Sequence, residues 1–506
     1  MATELRSAGR ILATSTAANI VAEVTRDTLR RTNDAHGLYS LGRMVGAHRL
    51  TQAGGRPMLD AVLRACTDEA LYVERALALA GGILAATDGD RARSVCTNLA
   101  QRLESAKTTQ AADTSGMLQV WAELAALIRL PNMAEVVAAA ERAGDARVLE
   151  QLAAHAHRAD VERVAGAVHA LSVAVLLRFE GGVAAEQIRA EEQAHAVVRA
   201  AAAVAQRGLQ DEGRDRGLDG TWVLVADALA CAHWATLRED RAGTDAFRLA
   251  STLLVAFAQR SSDAIVDAMV RRVFGVQPCL RFLAAQTDVR VGVGRESAVL
   301  FYLDLLEHVA GQLQPHTVRA LVVPLAARYT GSVRERAWFE SAHALVLAVL
   351  DRPDMAEVAP WYAHMVLDLY PDRGITADLL RIAFTAAVRA LAHDATQRSA
   401  ALSWDTVELL ATRLDESAGA GVVRGVQRRE LLGVLAAQLA AVPLQLLPRL
   451  MFVVEKRVTG EDDWFAQRKL VDEIQDVVLD DADLPRKPAL STWVWQLRAR
   501  VNESAV

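Results

Sequence analysis

The sequence predicts an all-α protein, an irregular helical-repeat array of antiparallel helices of the α-solenoid type. Two observations predict this fold class. Apolar residues recur with the helical period of about 3.6 residues through most of the chain, whereas the alternation typical of strands is not sustained anywhere. Hydrophobic residues make up 52% of the chain and aromatic residues only 5%, so alanine, the best helix former, supplies much of the core.

Predicted helices follow one another closely along the first part of the chain. They cover residues 17–32, 38–52, 58–66, 69–86, 91–107, 116–130, 134–143, 146–157, 161–178 and 184–208. The segment 210–220, Q-D-E-G-R-D-R-G-L-D-G, is the clearest loop, because it is charged and rich in glycine. We therefore predict an N-terminal helical array at 1–209 and a C-terminal helical array at 221–506.

The second part of the chain continues the helical pattern. Predicted helices cover residues 222–237, 246–259, 263–274, 280–286, 296–312, 317–329, 464–478 and 489–501, with six more in the run from Arg336 to Val454. The stretch D-V-R-V-G-V-G at 288–294 is the one brief β-like segment. No fixed-period signature of the tetratricopeptide, ankyrin or armadillo kind is visible. Any repeats are therefore structural and degenerate.

Helices in the run from Arg336 to Val454 carry two adjoining apolar stripes each. The helix near Trp361, for example, has one stripe of Trp361, Met365 and Leu369 and another that begins at Tyr362. Such a helix is expected to be covered on more than one side by its neighbours. The predicted core of this half includes Trp338, Leu345, Trp361, Phe384, Leu435 and Leu450.

Charge and cysteine usage exclude several classes of protein. A net charge of -6 gives no reason to expect nucleic acid as a partner. The cysteines Cys66, Cys96, Cys231 and Cys279 lack C-x-x-C spacing, which indicates reduced thiols rather than disulfides. The most apolar stretch, 164–179, is interrupted by His169, so we predict no membrane-spanning segment and a soluble or peripheral protein.

Candidate catalytic chemistry is sparse. Glu192-x-x-His195 and Glu340-x-x-His343 each place a carboxylate and an imidazole one helical turn apart, as in carboxylate-bridged di-metal sites. Such a site needs two further carboxylates, and none is obviously positioned for it. His343 is therefore interpreted as structural, and His233 beside Trp234 as a satisfied core residue. With no G-x-S-x-G or H-E-x-x-H motif, the sequence predicts no enzyme, no metal and no cofactor.

Four ordered blocks between Trp338 and Leu450 resemble a known family. They are W-F-E-S-A-H-A-L-V-L-A-V-L at 338–350, P-W-Y-A-H-M-V-L-D-L-Y-P at 360–371, D-L-L-R-I-A-F-T-A-A-V-R-A-L at 378–391, and the leucine-rich segment at 428–450. In this order they resemble the C-terminal half of the fungal peroxisomal biogenesis factor 8 family, an intraperoxisomal import peroxin. The residues that carry the resemblance, in a structural or partner-binding role, are Trp338, Phe339, Glu340, Ala342, His343, Trp361, Tyr362, Phe384, Leu447 and Pro448.

The resemblance implies a non-enzymatic role at the peroxisome. Members of the family lie on the matrix face of the peroxisomal membrane, bridge the docking complex to the ring-finger ubiquitin-ligase complex, and assist cargo release from the cycling import receptor. The expected partners are therefore these proteins, with no nucleic acid and no small-molecule substrate. The sequence ends in Ser504-Ala505-Val506, which departs from the S-K-L address, so piggy-back import or another signal is expected.

Two alternative functions remain open from the residues alone. The first is a generic cytoplasmic helical-repeat scaffold, in which similar Ala/Leu-rich helices account for the resemblance. The second is a metal-dependent helical enzyme built on the two Glu-x-x-His pairs. Location in the cell distinguishes the first alternative from the peroxisomal role, and metal content of the purified protein tests the second.

Overall fold

The computed structural model describes most of the chain as helices joined by short turns. The described residues are 15–32, 34–49, 56–68, 73–87, 90–105, 114–125, 127, 133–156, 158–182, 184–211, 219–237, 241–276, 293–331, 336–371, 373–393, 397–417, 422–461 and 463–503. These residues contain no strand, which confirms the prediction of an all-α helical-repeat array. The predicted helix at 280–286, Cys279, most of the loop at 210–220 and Ser504-Ala505-Val506 lie outside them.

The first of two compact units comprises Met1–Ser261 and Arg290–Phe301. Its helices are α1 Ser15–Arg31, α2 Ala35–Arg49, α3 Arg56–Asp68, α4 Val73–Thr87, α5 Asp90–Ser105, α6 Thr114–Ala125, α7 Met133–Ala143, α8 Ala146–His155, α9 Arg158–Gly181, α10 Ala184–Asp211, α11 Asp219–Thr236 and α12 Arg241–Arg260, together with the first half of a later helix, Val293–Val309. Helices α10 and α11, on the two sides of the predicted loop at 210–220, contact each other within this unit. That the arrays 1–209 and 221–506 are separate domains stays a prediction.

The second compact unit comprises Ser262–Val289 and Tyr302–Val506. It contains α13 Asp263–Val276, the second half of α14 Val293–Val309, α15 Pro315–Thr317, α16 Val323–Thr330, α17 Arg336–Leu350, α18 Val358–Leu369, α19 Ala377–His393, α20 Gln397–Glu416, α21 Val422–Ala437, α22 Leu447–Thr459, α23 Trp464–Asp476 and α24 Lys487–Glu503. Two π-helical segments, Val318–Val322 and Val477–Asp481, continue helices α15 and α23. The β-like interpretation of 288–294 is wrong at Val293 and Gly294, which belong to the first turn of α14.

Local sequence signals explain where helices begin. The Asp145 carboxylate accepts hydrogen bonds from the backbone N–H groups of Arg147 and Val148 at 3.1 and 3.3 Å, so it caps α8. The preceding residue, Gly144, adopts a φ of 68°, which glycine tolerates without steric strain. Asp463 caps α23 in the same way through the N–H of Phe465 at 3.0 Å. These side chains satisfy N–H groups that the first turn of a helix leaves without an intrahelical partner.

Most helices pack against those that lie one or two places along the chain, and α2 also contacts α6. In the second unit, α19 contacts α18, α20 and α21, and in the first unit α10 contacts α8, α9, α11 and α12. The crossing of α2 and α4 is so close that a Cβ at Gly42 would lie 2.2 Å from the Leu79 carbonyl oxygen, and one at Gly82 would lie 2.0 Å from that of Tyr39. Only glycine fits at these two positions, so the crossing depends on backbone meeting backbone.

Four of the six residues that the sequence predicts for the core of this half are buried in the second unit. Leu345, Phe384, Leu435 and Leu450 are fully buried. The prediction is wrong for Trp361, whose side chain is 37% exposed, and Trp338 is only half-buried.

In α18 the stripe that begins at Tyr362 is buried, whereas the other changes from the exposed Trp361 through the half-buried Met365 to the buried Leu369. In α19 the side chains of Leu380, Phe384 and Ala387 are buried, and Ile382 on another side of the helix is 50% exposed. These helices therefore expose apolar surface that the sequence analysis assigned to the core.

One described helix segment, Asp160–Gly181 in α9, is long and apolar enough to cross a membrane by length and composition alone. About half of it is buried inside the protein, where α9 packs against α10 and α11. His169, which interrupts the apolar stretch, places its Nε2 2.5 Å from the Oδ2 of the buried Asp227 on α11. An imidazole bonded to a buried carboxylate is a feature of a protein interior. These contacts favour a core helix of the first unit.

Substitution of Phe384 by alanine tests the assignment of the core. We expect Phe384→Ala to lower the free energy of unfolding by about 3–5 kcal/mol, because it removes a fully buried ring from a close-packed interior. The measurement is the loss of helical circular dichroism with urea. Trp361→Ala is the matched control, since it removes a larger ring from an exposed position and should cost far less. Equal shifts for the two variants would contradict the buried and exposed positions described here.

Candidate functional site

Helix α17 is the centre of the site that the sequence singled out. It spans Arg336–Leu350, as the block at 338–350 predicted, and buries one face. The side chains on that face are Phe339, Ala342, His343, Leu345, Val346, Val349 and Leu350. Most are apolar, and the exception is the imidazole of His343, which is 2% exposed. A polar ring buried to this extent needs hydrogen-bond partners for both nitrogens.

His343 has a partner on each ring nitrogen. Its Nε2 lies 3.2 Å from the backbone carbonyl oxygen of Thr330, at the end of α16. Its Nδ1 lies 2.8 Å from the hydroxyl oxygen of Tyr362 on α18. Because a carbonyl oxygen only accepts, Nε2 carries the proton and donates it, and Nδ1 accepts from the tyrosine hydroxyl. The imidazole is therefore neutral and joins three successive helices, α16, α17 and α18.

Burial fixes the protonation state of these groups. It lowers the pKa of His343 to about 4, against the ordinary 6.5, because the charged form is poorly solvated inside the core, and the bond to the Thr330 carbonyl opposes this only in part. Burial also raises the pKa of the Tyr362 hydroxyl, which stays protonated and able to donate. At neutral pH the pair is uncharged. With both nitrogens engaged away from solvent, His343 holds helices together and is not placed to act as a base on an external substrate.

Aromatic rings surround this hydrogen-bonded pair. The ring centroid of Phe339 lies 4.3 Å from that of His343, and the centroids of His343 and Tyr362 are 5.6 Å apart. Trp361 lies beyond Tyr362, with centroids 6.3 Å apart, and reaches solvent. The structure thus brings together Phe339, His343, Tyr362 and Trp361. We call these four residues the aromatic cluster.

The remaining residues of the family resemblance occupy different settings. Ala342 is buried on α17, Trp338 is half-buried, and Glu340 is exposed with its carboxylate 2.6 Å from the Nε of Arg336. Phe384 is buried in α19. Leu447 and Pro448 form the first turn of α22, where the leucine is buried and the proline exposed. Proline suits that turn because it has no N–H group to satisfy.

An arginine that the sequence analysis did not single out organises the end of α17. The side chain of Arg352 is 10% exposed, and its Nη1 donates to the carbonyl oxygens of Ala310 and Leu313 at 2.5 and 2.6 Å. Its Nε and Nη2 form a fork on the carboxylate of Asp354, at 3.0 and 2.8 Å. This contact lowers the pKa of Asp354. Arg352 therefore binds two carbonyl groups in the turn that follows α14, and the Ala310 carbonyl also accepts from the backbone N–H of Leu313 at 3.3 Å.

The other candidate histidines do not assemble a catalytic or metal site among the described residues. His195 Nε2 lies 3.4 Å from the Ala235 carbonyl oxygen, while Glu192 is exposed. His233 is buried, and its Nδ1 lies 2.6 Å from the Ser297 carbonyl oxygen, in agreement with its interpretation as a satisfied core residue. Within the described part of the chain, no group of three or more His, Cys, Asp or Glu side chains could hold a metal ion.

The fold and the site define a helical-repeat protein whose successive helices are joined by buried aromatic and polar side chains. The family model described as the PEX8 central TPR-like domain matches residues 276–351 of the chain. This match supports the assignment of the chain to the PEX8 family, as the resemblance in the sequence predicted. The matched residues include Thr330, Phe339 and His343. Of the four blocks of the resemblance, 338–350 lies within the match and the other three lie beyond it.

Comparisons with whole proteins add little to this assignment. A comparison with curated proteins gives no match. Among solved structures, a circular tandem repeat protein with novel repeat topology has 13% identity, covers 97% of this chain and 99% of its own, and has a TM-score of 0.21. A chain from a homology model of the full-length AP-3 complex has 9% identity, covers 99% and 93%, and has a TM-score of 0.28. TM-scores this low establish no shared fold.

The neutral state of His343 predicts a specific dependence of stability on pH. Its pKa is about 4 in the folded protein and near 6.5 when unfolded, so between these values the unfolded state binds more protons. Stability should therefore be fully present above pH 6.5 and fall as the pH drops toward 4, by up to about 3.5 kcal/mol at about 1.4 kcal/mol per pKa unit. The measurement is urea unfolding at a series of pH values in this interval.

His343→Gln should remove this dependence. At neutral pH the variant should be less stable than the wild type, because glutamine cannot reproduce both hydrogen bonds in the same space. The difference should shrink as the pH falls, since only the wild type loses the contribution of a neutral imidazole. His364→Gln, at an exposed position of α18, is the control and should behave as wild type. A stability difference between wild type and His343→Gln that stays constant from pH 7 to pH 4 would contradict the assignment.

Proposed function

We propose that this protein is a non-enzymatic organiser of peroxisomal matrix-protein import. It bridges the docking complex and the ring-finger ubiquitin-ligase complex on the matrix face of the peroxisomal membrane, and it aids release of cargo from the cycling import receptor. The observation that carries this proposal is the match of residues 276–351 to the PEX8 central TPR-like domain within an all-helical array. That match supports peroxisome biogenesis and import as the setting, with proteins as partners.

The fold suits a bridging role. Helices stacked in series present long surfaces, so two partners can dock at separate places on one chain. Each compact unit has its own buried core, and in the second unit α18 and α19 expose Trp361 and Ile382, which are 37% and 50% exposed. Exposed aromatic and aliphatic side chains are the anchors that protein interfaces favour. Both features support recognition of proteins rather than of a small substrate.

Two kinds of side chain that often perform catalysis, the thiol of cysteine and the imidazole of histidine, are held in unreactive states. Burial raises the pKa of the Cys66 and Cys96 thiols, in the case of Cys96 to about 12, so neither is a thiolate nucleophile at neutral pH. The imidazole of His343 is neutral and has both nitrogens engaged. These environments support a scaffold more than an enzyme.

Attachment to the membrane is proposed to come through partner proteins. The leucine-rich block at 428–450 is largely buried within the second unit from Leu431 to Pro443. Farther along the same block, the guanidinium of Arg449 lies 3.7 Å from the ring centroid of Trp404, a cation–π contact within the protein. These contacts support helix packing, rather than contact with lipid, as the role of this segment.

Deletion of the gene in its own host tests the role in import. We expect peroxisomal matrix enzymes to remain in the cytosol while peroxisomal membrane proteins still reach the organelle, because the proposed role concerns only matrix import. The measurement is cell fractionation with markers of both kinds, and reintroduction of the gene is the control. Normal matrix import in the deletion strain would refute the assignment and favour a generic cytoplasmic scaffold.

Purification of a tagged docking-complex subunit tests the bridging step. From wild-type peroxisomal membranes the tagged subunit should co-purify the ring-finger complex together with this protein. From the deletion strain it should yield the docking complex alone, since the physical link is missing. A strain that lacks an unrelated matrix enzyme serves as the control. If the two complexes co-purify equally with and without this protein, it does not bridge them, even where import itself is impaired.

A further inference from the structure

A cavity of about 770 Å³ opens between four helical segments of the second unit. The first turn of α19, the outer part of α21, helix α23 and the π-helical segment Val477–Asp481 line it. We call this cavity the acidic groove. It does not include the aromatic cluster or any of the ten residues named above as carrying the family resemblance, although other residues of the blocks at 378–391 and 428–450 line it. Its use is therefore a separate question from the role of those residues.

Carboxylates dominate the lining of the acidic groove. The acidic side chains are Asp378, Glu430, Glu473, Asp476, Asp480 and Asp481, against the cations Arg381, Arg429 and Lys469. Two of these cations are paired inside the groove, Lys469 with Glu473 at 3.6 Å and Arg381 with Asp378 at 3.9 Å. Glu430 accepts a hydrogen bond from the hydroxyl of Tyr370. The balance of charge in the lining therefore remains negative.

Three carboxylates at one end of the groove have no ion pair with the described residues of the chain. They are Asp476, Asp480 and Asp481, all exposed, and Asp476 and Asp480 lie four residues apart. Like charges at this spacing on a helix repel each other and destabilise it. A cation placed between them would relieve the repulsion. The electrostatics of this end of the groove therefore favour a positively charged occupant.

Two lining residues of α21, Gly433 and Val426, form what we call the floor of the groove. Gly433 lies inside helix α21, where glycine costs about 1 kcal/mol relative to alanine. Packing does not require it there, because an added Cβ would only make an ordinary contact with the Glu473 carboxylate at 3.6 Å. The absent side chain instead keeps the floor clear. Beside it, Val426 lines the groove and is 46% exposed, which leaves apolar surface available to an incoming side chain.

We propose that the acidic groove binds a short basic amphipathic segment of a partner protein. Lysine or arginine side chains of that segment lie against Asp476, Asp480 and Asp481, and its apolar side chains cover the floor over Gly433 and against Val426. The complementarity of charge selects a protein segment with adjacent basic and apolar residues rather than an acidic peptide. The proposal does not depend on the cellular role proposed above, because it concerns the purified chain alone.

Selection from a random peptide library tests the proposal directly. Phage-displayed random peptides are selected against the full-length protein, and the enriched peptides are then synthesised with a fluorescent label for binding measurements by polarisation. We expect enrichment of lysine and arginine next to leucine, isoleucine or phenylalanine, with affinity that falls as salt screens the charges. Enriched peptides without basic residues, or no enrichment at all, would overturn the proposal.

Two variants locate the binding of the selected peptides. Asp476→Asn, Asp480→Asn and Asp481→Asn combined should weaken it by about tenfold, because three exposed charge pairs are each worth a fraction of a kcal/mol to about 1 kcal/mol. Gly433→Leu leaves every charge in place but fills the floor, and it should also abolish binding.

A third variant is the matched control. Asp351→Asn, Asp368→Asn and Asp405→Asn combined remove the same charge from exposed positions outside the groove and should bind as wild type. Circular dichroism checks that all three variants remain folded. Equal losses for the control and for the groove variant would show a general charge effect and refute the site. Self-association of the full chain that Gly433→Leu abolishes would assign the groove to a second copy of the chain instead, which also overturns the proposal.

Discussion

Close packing between helices that are near neighbours along the chain is the constraint on which this structure depends. The α2–α4 crossing shows how strict it is, since Gly42 and Gly82 each bring a helix backbone against a carbonyl oxygen of the other helix. At other helix crossings alanine also allows close approach, because its side chain is a single methyl group. Small side chains allow close approach, and close approach gives each helix enough contact to bury one apolar stripe. Alanine and glycine therefore determine the architecture more than the few aromatic residues do.

Small side chains alone leave the register of such helices poorly defined. Surfaces of alanine, valine and leucine pack in several nearly equivalent ways, because one methyl group resembles another. Directional hydrogen bonds discriminate between these arrangements, and two sets of them lie where helices meet. His343 joins α16, α17 and α18 through Thr330 and Tyr362, and Arg352 joins the end of α17 to the end of α14. A shift of one helix by a single turn would leave these polar groups unsatisfied inside the core, which is costly.

The sequence was sufficient for the type of fold and for individual helices, and insufficient for contacts between them. Helix α17 begins and ends close to the predicted block, because the apolar period and the flanking Pro353 are local signals. Local sequence does not determine which of two apolar stripes is buried. Trp361 and Phe384 both lie on such stripes, yet one reaches solvent and the other is enclosed, because the outcome depends on where the neighbouring helices lie. Apolar periodicity predicts that a helix has an apolar face, but it does not predict which neighbouring helix covers that face.

The same limit applies to the candidate site. His343 could be interpreted as structural from the dense apolar stripe around it, but its partners lie 13 and 19 residues away in the chain and no spacing rule predicts them. The carbonyl partners of Arg352 lie 42 and 39 residues away. The arginine-proline-aspartate sequence at 352–354 marks the end of a helix without indicating which carbonyl groups the arginine would reach. The resemblance to a family compensated in part for this missing information about contacts. It singled out Phe339, His343 and Tyr362, and the fold brings these residues into contact.

A scaffold that binds two partners needs surfaces in fixed positions. In the second unit, buried polar side chains fix the helices, and other side chains remain exposed on the surface. Polar groups that determine register are buried and neutral, as His343 is, or closed into a fork, as Arg352 is with Asp354. Groups that remain exposed are of two different kinds, the apolar side chains Trp361 of α18 and Ile382 of α19 and the carboxylates of the acidic groove. In the roles proposed for them, the first kind recognises shape and apolar area and the second recognises charge. Because the buried contacts fix the helices beneath them, partners with different chemistry can bind these surfaces without competing for the same residues.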